Sequence, residues 1–284
     1  MPHPVNTTRR IGVFADLSAD ALSIPLRDAS RFSLTVDSPS GIALRLRDGG
    51  LHAGLISPIE YAREGSLYRI VPGIAVSSQG ASGAVTLRFR EGIRTIRTLA
   101  VDPGWSSEIV LAKIILAEEF DVEPKIVPAA GGVQEMLAKA DAALVIGDSA
   151  LRVAPHGGSA FDLVEAWQEL TDLPFVHALW CGREQTLTAA DVGALWDAQT
   201  RGKEMLDAIA AGAPSSHNLP QSSTEELRAY LSAFSYDLTS DVEDGIREFL
   251  RYGYYHGVTA DVADLHYYPS PGDAAWDEDV PSLG

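Results

Sequence analysis

The chain repeats one grammar: a short apolar run, then small or polar residues, then a stretch with helical spacing. "IGVF" and "FSLTV" lead to "SPSGIALRLRDGG", where Ser38 precedes Pro39 and glycines close the run. "LHAGLI" leads to "SPIEYAREG", opened by Ser57 and Pro58. In the middle, "RTLAV" leads to "DPGWSSEIVLAKIILAEEF", "PKIV" to "PAAGGVQEMLAKA", and "AALVI" to "GDSAL". Alternation of this kind commits a chain to mixed, largely parallel sheets covered by helices. "AVTLRFR" sets Val85, Leu87 and Phe89 against Thr86, Arg88 and Arg90, the pattern of a half-buried strand. After Cys181 the signals turn almost wholly helical, over 188–211, 224–235 and 240–252.

Two αβ blocks and a helical return predict an α/β protein of two lobes. Residues 1–92 start the first lobe, 93–182 form the second, and 183–284 return to the first as a helical C-terminal part. The 284-residue length exceeds what one simple core needs. In such folds ligands bind beyond the carboxyl ends of the strands. Four helix starts fall there: Ser57-Pro58, Trp105-Ser106-Ser107, Gly131-Gly132 and Gly147-Asp148-Ser149. Their exposed N–H groups and dipoles favour an anion. That matters because the net charge is −17, which argues against nucleic acid or an anionic membrane as partner and makes local attraction necessary for an anionic ligand. The opening "MPHPVNTTRRIGVFADLS" has no apolar stretch of signal-peptide length, no run is long enough to span a bilayer, and Cys181 is the single cysteine; the expectation is a cytoplasmic protein.

No HExxH, cysteine cluster, P-loop, GxGxxG or G-x-S-x-G elbow is present, so no metal or cofactor is expected. What remains is a set of groups at helix starts. Ser57, Ser106 and Ser107 are N-caps or ligand contacts. Gly147 and Asp148 open a helix, with Asp148 either capping it or touching ligand. Trp105 either stacks on a planar ring or serves a lid or core. In "DLPFVHALW" (172–180), His177 interrupts an apolar strand that follows the helix "FDLVEAWQEL". It is either a satisfied core group or one aimed at a ligand.

"ADAALVIGDSALR" with "FDLVEAWQELTDLPFVHALW" resembles the chorismate dehydratases of menaquinone biosynthesis (MqnA family), which pair I-G-D-A-A-L with D-L-x-x-x-W-x-x-x-T-G-L-P-F-V-F-A-x-W. "HAGLISPIEYA", "VPGIAVSSQG", "LRAYLSAFSYDL" and "GIREFLRYG" extend the resemblance over nearly the whole chain. It implies a two-lobed periplasmic-binding-protein-like (type 2) fold. It also implies elimination of water from chorismate to give 3-[(1-carboxyvinyl)oxy]benzoate for the futalosine route, without a cofactor, the substrate's own carboxylate taking the proton. The implied catalytic positions are Ser18, standing where the family's Y-L-N-x-x-P asparagine would be, and Ser82, the hydroxyl nearest the family's post-G-P-V serine, whose place is taken by Ala84. Ala21 replaces the proline of the first motif. The family's S-T-S-R-T-S becomes "PGWSSE", in which Ser107 keeps a hydroxyl and Glu108 replaces the next. A glutamate in that first turn opposes a substrate carboxylate. His177 stands in place of a phenylalanine.

The substrate-binding set is therefore Ser57, Trp105, Ser106, Ser107, Glu108, Gly147, Asp148 and His177, for a small anionic cyclic carboxylate. Three alternatives stay open. One is a paralogue using Ser18, Glu108 and His177 on another cyclic carboxylate. The second is a non-catalytic solute-binding protein with the same lobes. The third is the sister dihydroxynaphthoate synthase of the pathway, from which the "GDSAL" and "LPFVHALW" pair points away.

Overall fold

The computed structural model describes residues 8–153, 159–273 and 276. In chain order its strands are β1 (Arg9–Val13), β2 (Phe32–Val36), β3 (Ala53–Ile56), β4 (Tyr68–Ser78), β5 (Val85–Phe89) and β6 (Thr98–Val101). They continue as β7 (Lys125–Pro128), β8 (Ala142–Ile146), β9 (Ser159–Asp162), β10 (Phe175–Arg183) and β11 (Phe234–Asp237). They sort into two sheets, ordered β11-β4-β10-β3-β1-β2 and β7-β6-β8-β5-β9. In the first, β1 runs parallel to β2 and β3, and β10 crosses back antiparallel to β3 and β4. The second repeats the plan: β6 is parallel to β7 and β8, and β5 is antiparallel to β8 and β9.

The pairing corrects the expected cuts at 92/93 and 182/183. β5 lies in the second sheet, because its apolar alternation pairs residue for residue with β8, Val85 opposite Ile146 through Phe89 opposite Ala142. β10 lies wholly in the first sheet. The chain thus enters the second lobe between Ser78 and Val85 and leaves it between Thr171 and Phe175.

Local signals explain most element ends. Ser38 caps the helix Pro39–Arg47 by accepting from the Gly41 N–H at 3.1 Å. Capping boxes open the helices Ala189–Glu204 (Thr188 with Asp191) and Thr224–Ser232 (Ser223 with Glu226). The helical return is more broken than its sequence suggests. The stretch 188–211 is two helices meeting at Met205, and Phe234–Asp237 leaves the helical run to pair with the outer edge of β4. Sheet pairing outweighs local propensity there.

The helix Ser240–Tyr255 buries Val242, Ile246, Phe249, Leu250 and Gly253 along one stripe. At Gly245 it packs so closely that a Cβ would strike the Pro174 carbonyl. Phe249 then joins Trp167 and Phe175 in an edge-to-face cluster with centroids 5.2–6.5 Å apart. This cluster fixes the start of β10, and with it His177. No helix among the described residues is long and apolar enough to cross a membrane.

Candidate active site at the lobe seam

The lobes meet along a seam that brings together most of the predicted site residues. At its centre is His177. Phe175 opposes Ser78 and Val176 opposes Ser77, but Ala178 opposes Val76, so His177 is the extra residue of a β-bulge. Bulges re-aim side chains, and this one turns the imidazole to the seam. Its Nε2 lies 2.8 Å from Ser78 Oγ, and its Nδ1 lies 3.5 Å from Glu108 Oε1. Phe175 and Phe234 flank the ring with centroids at 4.9 and 5.5 Å. Glu108 reaches this point from the opposite lobe, in the first turn of the helix Ser106–Phe120. Only 1% of Glu108 is exposed, yet among the described residues neither carboxylate oxygen accepts a hydrogen bond.

Beside this pair, two helix starts meet across the seam. Ser107 Oγ accepts from the Ile59 N–H at 3.1 Å, so a hydroxyl from the second lobe caps a first-lobe helix. Ser57 Oγ is buried there and has no hydrogen-bond partner among the described residues. Trp105 packs edge-on against Phe14 at 5.6 Å, one ring from each lobe. Ser106 is turned away from this centre. Its Oγ is 2.8 Å from Ser40 Oγ and bonded to Glu60, whose carboxylate also receives Arg63 at 2.7 Å. These groups line a separate cleft of about 470 Å³ on the flank of the seam, with Arg47 and Lys113.

The third junction is more acidic. Ser18 Oγ donates to Asp16 Oδ1 at 2.6 Å, and Asp16 Oδ2 accepts from the Asp148 N–H at 2.9 Å. Asp148 returns the contact, accepting from the Leu17 N–H at 2.9 Å. Gly147 has φ 54° and ψ −129°, a conformation open to glycine alone, and a Cβ there would collide with Asp16. His217 closes the junction: Nδ1 lies 2.6 Å from Asp148 Oδ2 and Nε2 lies 2.7 Å from Asp20 Oδ2. With a carboxylate at each ring nitrogen, the doubly protonated imidazolium is favoured, and the pKa of His217 rises to about 10, chiefly through these two hydrogen bonds. Asp16 shifts upward too, to about 6, first because it is buried and then because Asp148 faces it.

Besides Ser106, two expected positions are not joined to this set. Ser82 Oγ accepts from the Ala84 N–H at 3.2 Å, within its own turn. Gly131 and Gly132 are exposed at the start of the short helix Val133–Leu137 and make no hydrogen bond to the seam among the described residues. The first of these reflects the turn that carries the chain between lobes; the second reflects the place of β7 at the far edge of its sheet. Sequence reasoning missed Asp16, Asp20, Ser78, Asp162, His217 and Tyr230. Asp162 accepts from the Gly83 N–H at 2.7 Å beside the crossing, and its pKa is raised by burial. The Tyr230 hydroxyl is buried without a partner among the described residues and held protonated by desolvation and the surrounding carboxylates. Asp16, Ser78, Asp162 and Tyr230 lie inside stretches singled out above, but the groups they meet across the fold are remote in sequence, as are those met by Asp20 and His217.

Comparison with known proteins agrees with this architecture. A chorismate dehydratase of Thermus thermophilus is 26% identical over 190 residues, covering 61% of this chain and 69% of that protein. A solved structure of a protein from Archaeoglobus fulgidus superposes with a TM-score of 0.70 at 17% identity, over 90% of this chain and 100% of the other. The alkanesulfonate-binding protein of Xanthomonas axonopodis pv. citri, solved with MOPS bound, gives a TM-score of 0.67 at 13% identity over 90% and 95% of the two chains. The fold is the two-lobed periplasmic-binding-protein one, which other structural neighbours share. The model of the menaquinone biosynthesis family matches residues 9–255, and the chain belongs to that family.

Proposed function

We propose that this chain is a carbon–oxygen lyase of the chorismate dehydratase kind, eliminating water from chorismate to give 3-[(1-carboxyvinyl)oxy]benzoate for menaquinone biosynthesis. One observation carries the reading: helix starts from both lobes meet at one seam, where the Ile59 N–H faces Ser107 and the Ser57 hydroxyl stays buried and unbonded. Opposed helix N-termini suit carboxylates. Phe14 and Trp105, one from each lobe, give this part of the seam an aromatic, apolar lining. Because the product is aromatic, the reaction runs downhill, and the protein has mainly to orient the ring and exclude water. On this reading Ser18 and Ser57 supply the hydroxyls that contact the substrate's oxygen substituents.

A second reading, a paralogue acting on a different cyclic carboxylate, draws on Ser18, Glu108 and His177, which stand where the resemblance has other residues. Incubating the protein with chorismate and following mass tests both. A product lighter by one water supports the first reading. Tight binding without turnover points to a non-catalytic anion-binding protein. Neither binding nor turnover favours the paralogue.

A further inference from the structure

We propose that Glu108 and His177 are the proton-transfer pair of this site, with Ser78 as the positioning residue that fixes His177. The inference rests on the hydro-lyase reading above and assigns to the chain a step that the family resemblance leaves to the substrate.

Three observations converge. Glu108 is buried with both oxygens unbonded among the described residues. A carboxylate kept for structure alone collects donors, because leaving it bare in a dry interior is costly. The ionisable group it faces, the His177 Nδ1, sits at 3.5 Å, within ion-pair range but beyond a good hydrogen bond. The two groups therefore stand side by side at the seam without closing on each other. Finally, His177 is not free to turn away. Ser78 holds its Nε2 at 2.8 Å, and Phe175 and Phe234 confine the ring. Glu108 comes from the second lobe and His177 and Ser78 from the first, so the pair is complete only when the lobes meet.

The chemistry fits a pair on one side of the substrate. In chorismate the ether on C3 and the hydroxyl on C4 are trans, so the C3 hydrogen and the departing hydroxyl share a face. Glu108 carboxylate takes the C3 proton. The C–H electron pair becomes the new ring double bond, and the C4–O bond breaks with its electrons on oxygen. The His177 imidazolium gives its Nδ1 proton to that oxygen, and water departs. Glu108 then passes its proton to the neutral Nδ1, which restores both groups with no net proton exchanged. The other titratable groups around the pair are Asp162, whose charge acts on His177, and Tyr230, which lies beyond Phe234. The pKa of Asp162 is itself raised by burial, and Tyr230 is neutral.

The test measures chorismate turnover by the wild type, Glu108→Gln, His177→Phe, Ser78→Ala and Ser78→Thr, with circular dichroism as the folding control. Glu108→Gln and His177→Phe should each lower kcat about 100-fold or more, with KM changed far less. The wild-type kcat should follow a bell-shaped pH profile that loses its acid limb in Glu108→Gln and its alkaline limb in His177→Phe. Ser78→Ala should displace the alkaline limb, and Ser78→Thr should restore it. If Glu108→Gln does not fold, Glu108→Ser carries the same test. A folded Glu108 variant with near wild-type kcat, or a change confined to KM, overturns the pair while leaving the lyase reading intact. A wild type that makes no product overturns both.

Discussion

Replacing His217 by leucine removes a cation set directly between two buried carboxylates at the lobe junction. Its side chain is 8% exposed, and Asp20 and Asp148 are 4% and 10% exposed. The rise of its pKa from 6.5 to about 10 corresponds to at most about 5 kcal/mol. Two charge-assisted hydrogen bonds at roughly 1.5–3 kcal/mol each give a similar ceiling. Arg27 and Arg152, each 3.9 Å from one of the carboxylates, take up part of the exposed charge in the variant. We expect a loss of about 3 kcal/mol at pH 7, which is roughly a 6–10 °C fall in Tm for a chain of this size. The pH dependence gives the sharper check. A histidine whose folded pKa is raised contributes fully below its unfolded value and loses that contribution as pH rises through the folded one. The wild-type advantage in urea unfolding should thus be complete near pH 6 and fade between 6.5 and about 10. A gap constant from pH 6 to 10, or no gap at pH 7, refutes the charged bridge.

Gly147→Ala should destabilise the protein by at least about 2 kcal/mol, since it combines a φ of 54° with a collision against Asp16; a thermal melt within 2 °C of wild type would contradict this. Gly202→Ala should be comparably damaging, because its Cβ would meet the Ala21 carbonyl where two helices touch; urea unfolding at pH 7 measures it. Cys181 is fully buried and its thiol is pushed up by desolvation, so it should resist an aromatic disulfide reagent in native buffer and react at once in denaturant. Trp167→Ala should cost about 3–5 kcal/mol by emptying the aromatic cluster behind β10, read as a lower urea midpoint.

What could be read from the sequence was local. Ser38-Pro39 and Ser57-Pro58 announce helices, and the alternation of Val85, Leu87 and Phe89 announces β5. β4 escaped notice because Pro72 and Gly73 break its pattern. Between Ala75, opposite Leu179, and Ile70, opposite Cys181, the strand bulges outward. There the freed Pro72 and Gly73 carbonyls accept from Trp196 and Gln199. With β4 unseen, Ser78 could not be placed beside His177, 99 positions away. The same holds for the junction, since His217 stands 69 residues from Asp148 and 197 from Asp20. Helix starts are written in adjacent residues; the partners that fill them are written in the topology.

That topology also sets an order of assembly. The second sheet is built from one uninterrupted stretch, β5 to β9, whose strands all pair within residues 85–162. The first sheet cannot close locally, since β4 must wait for β10, roughly a hundred residues on, and then for β11. Loop closure over such spans carries an entropic cost that only late contacts repay, and long-range pairing slows folding. During synthesis the inserted lobe emerges complete while β1 to β4 still lack their central partner. The strand that supplies it is β10, so His177 and Ser78 come together in the step that joins the halves of the first sheet. A chain halted before residue 175 therefore holds one finished lobe, an open sheet edge and no seam.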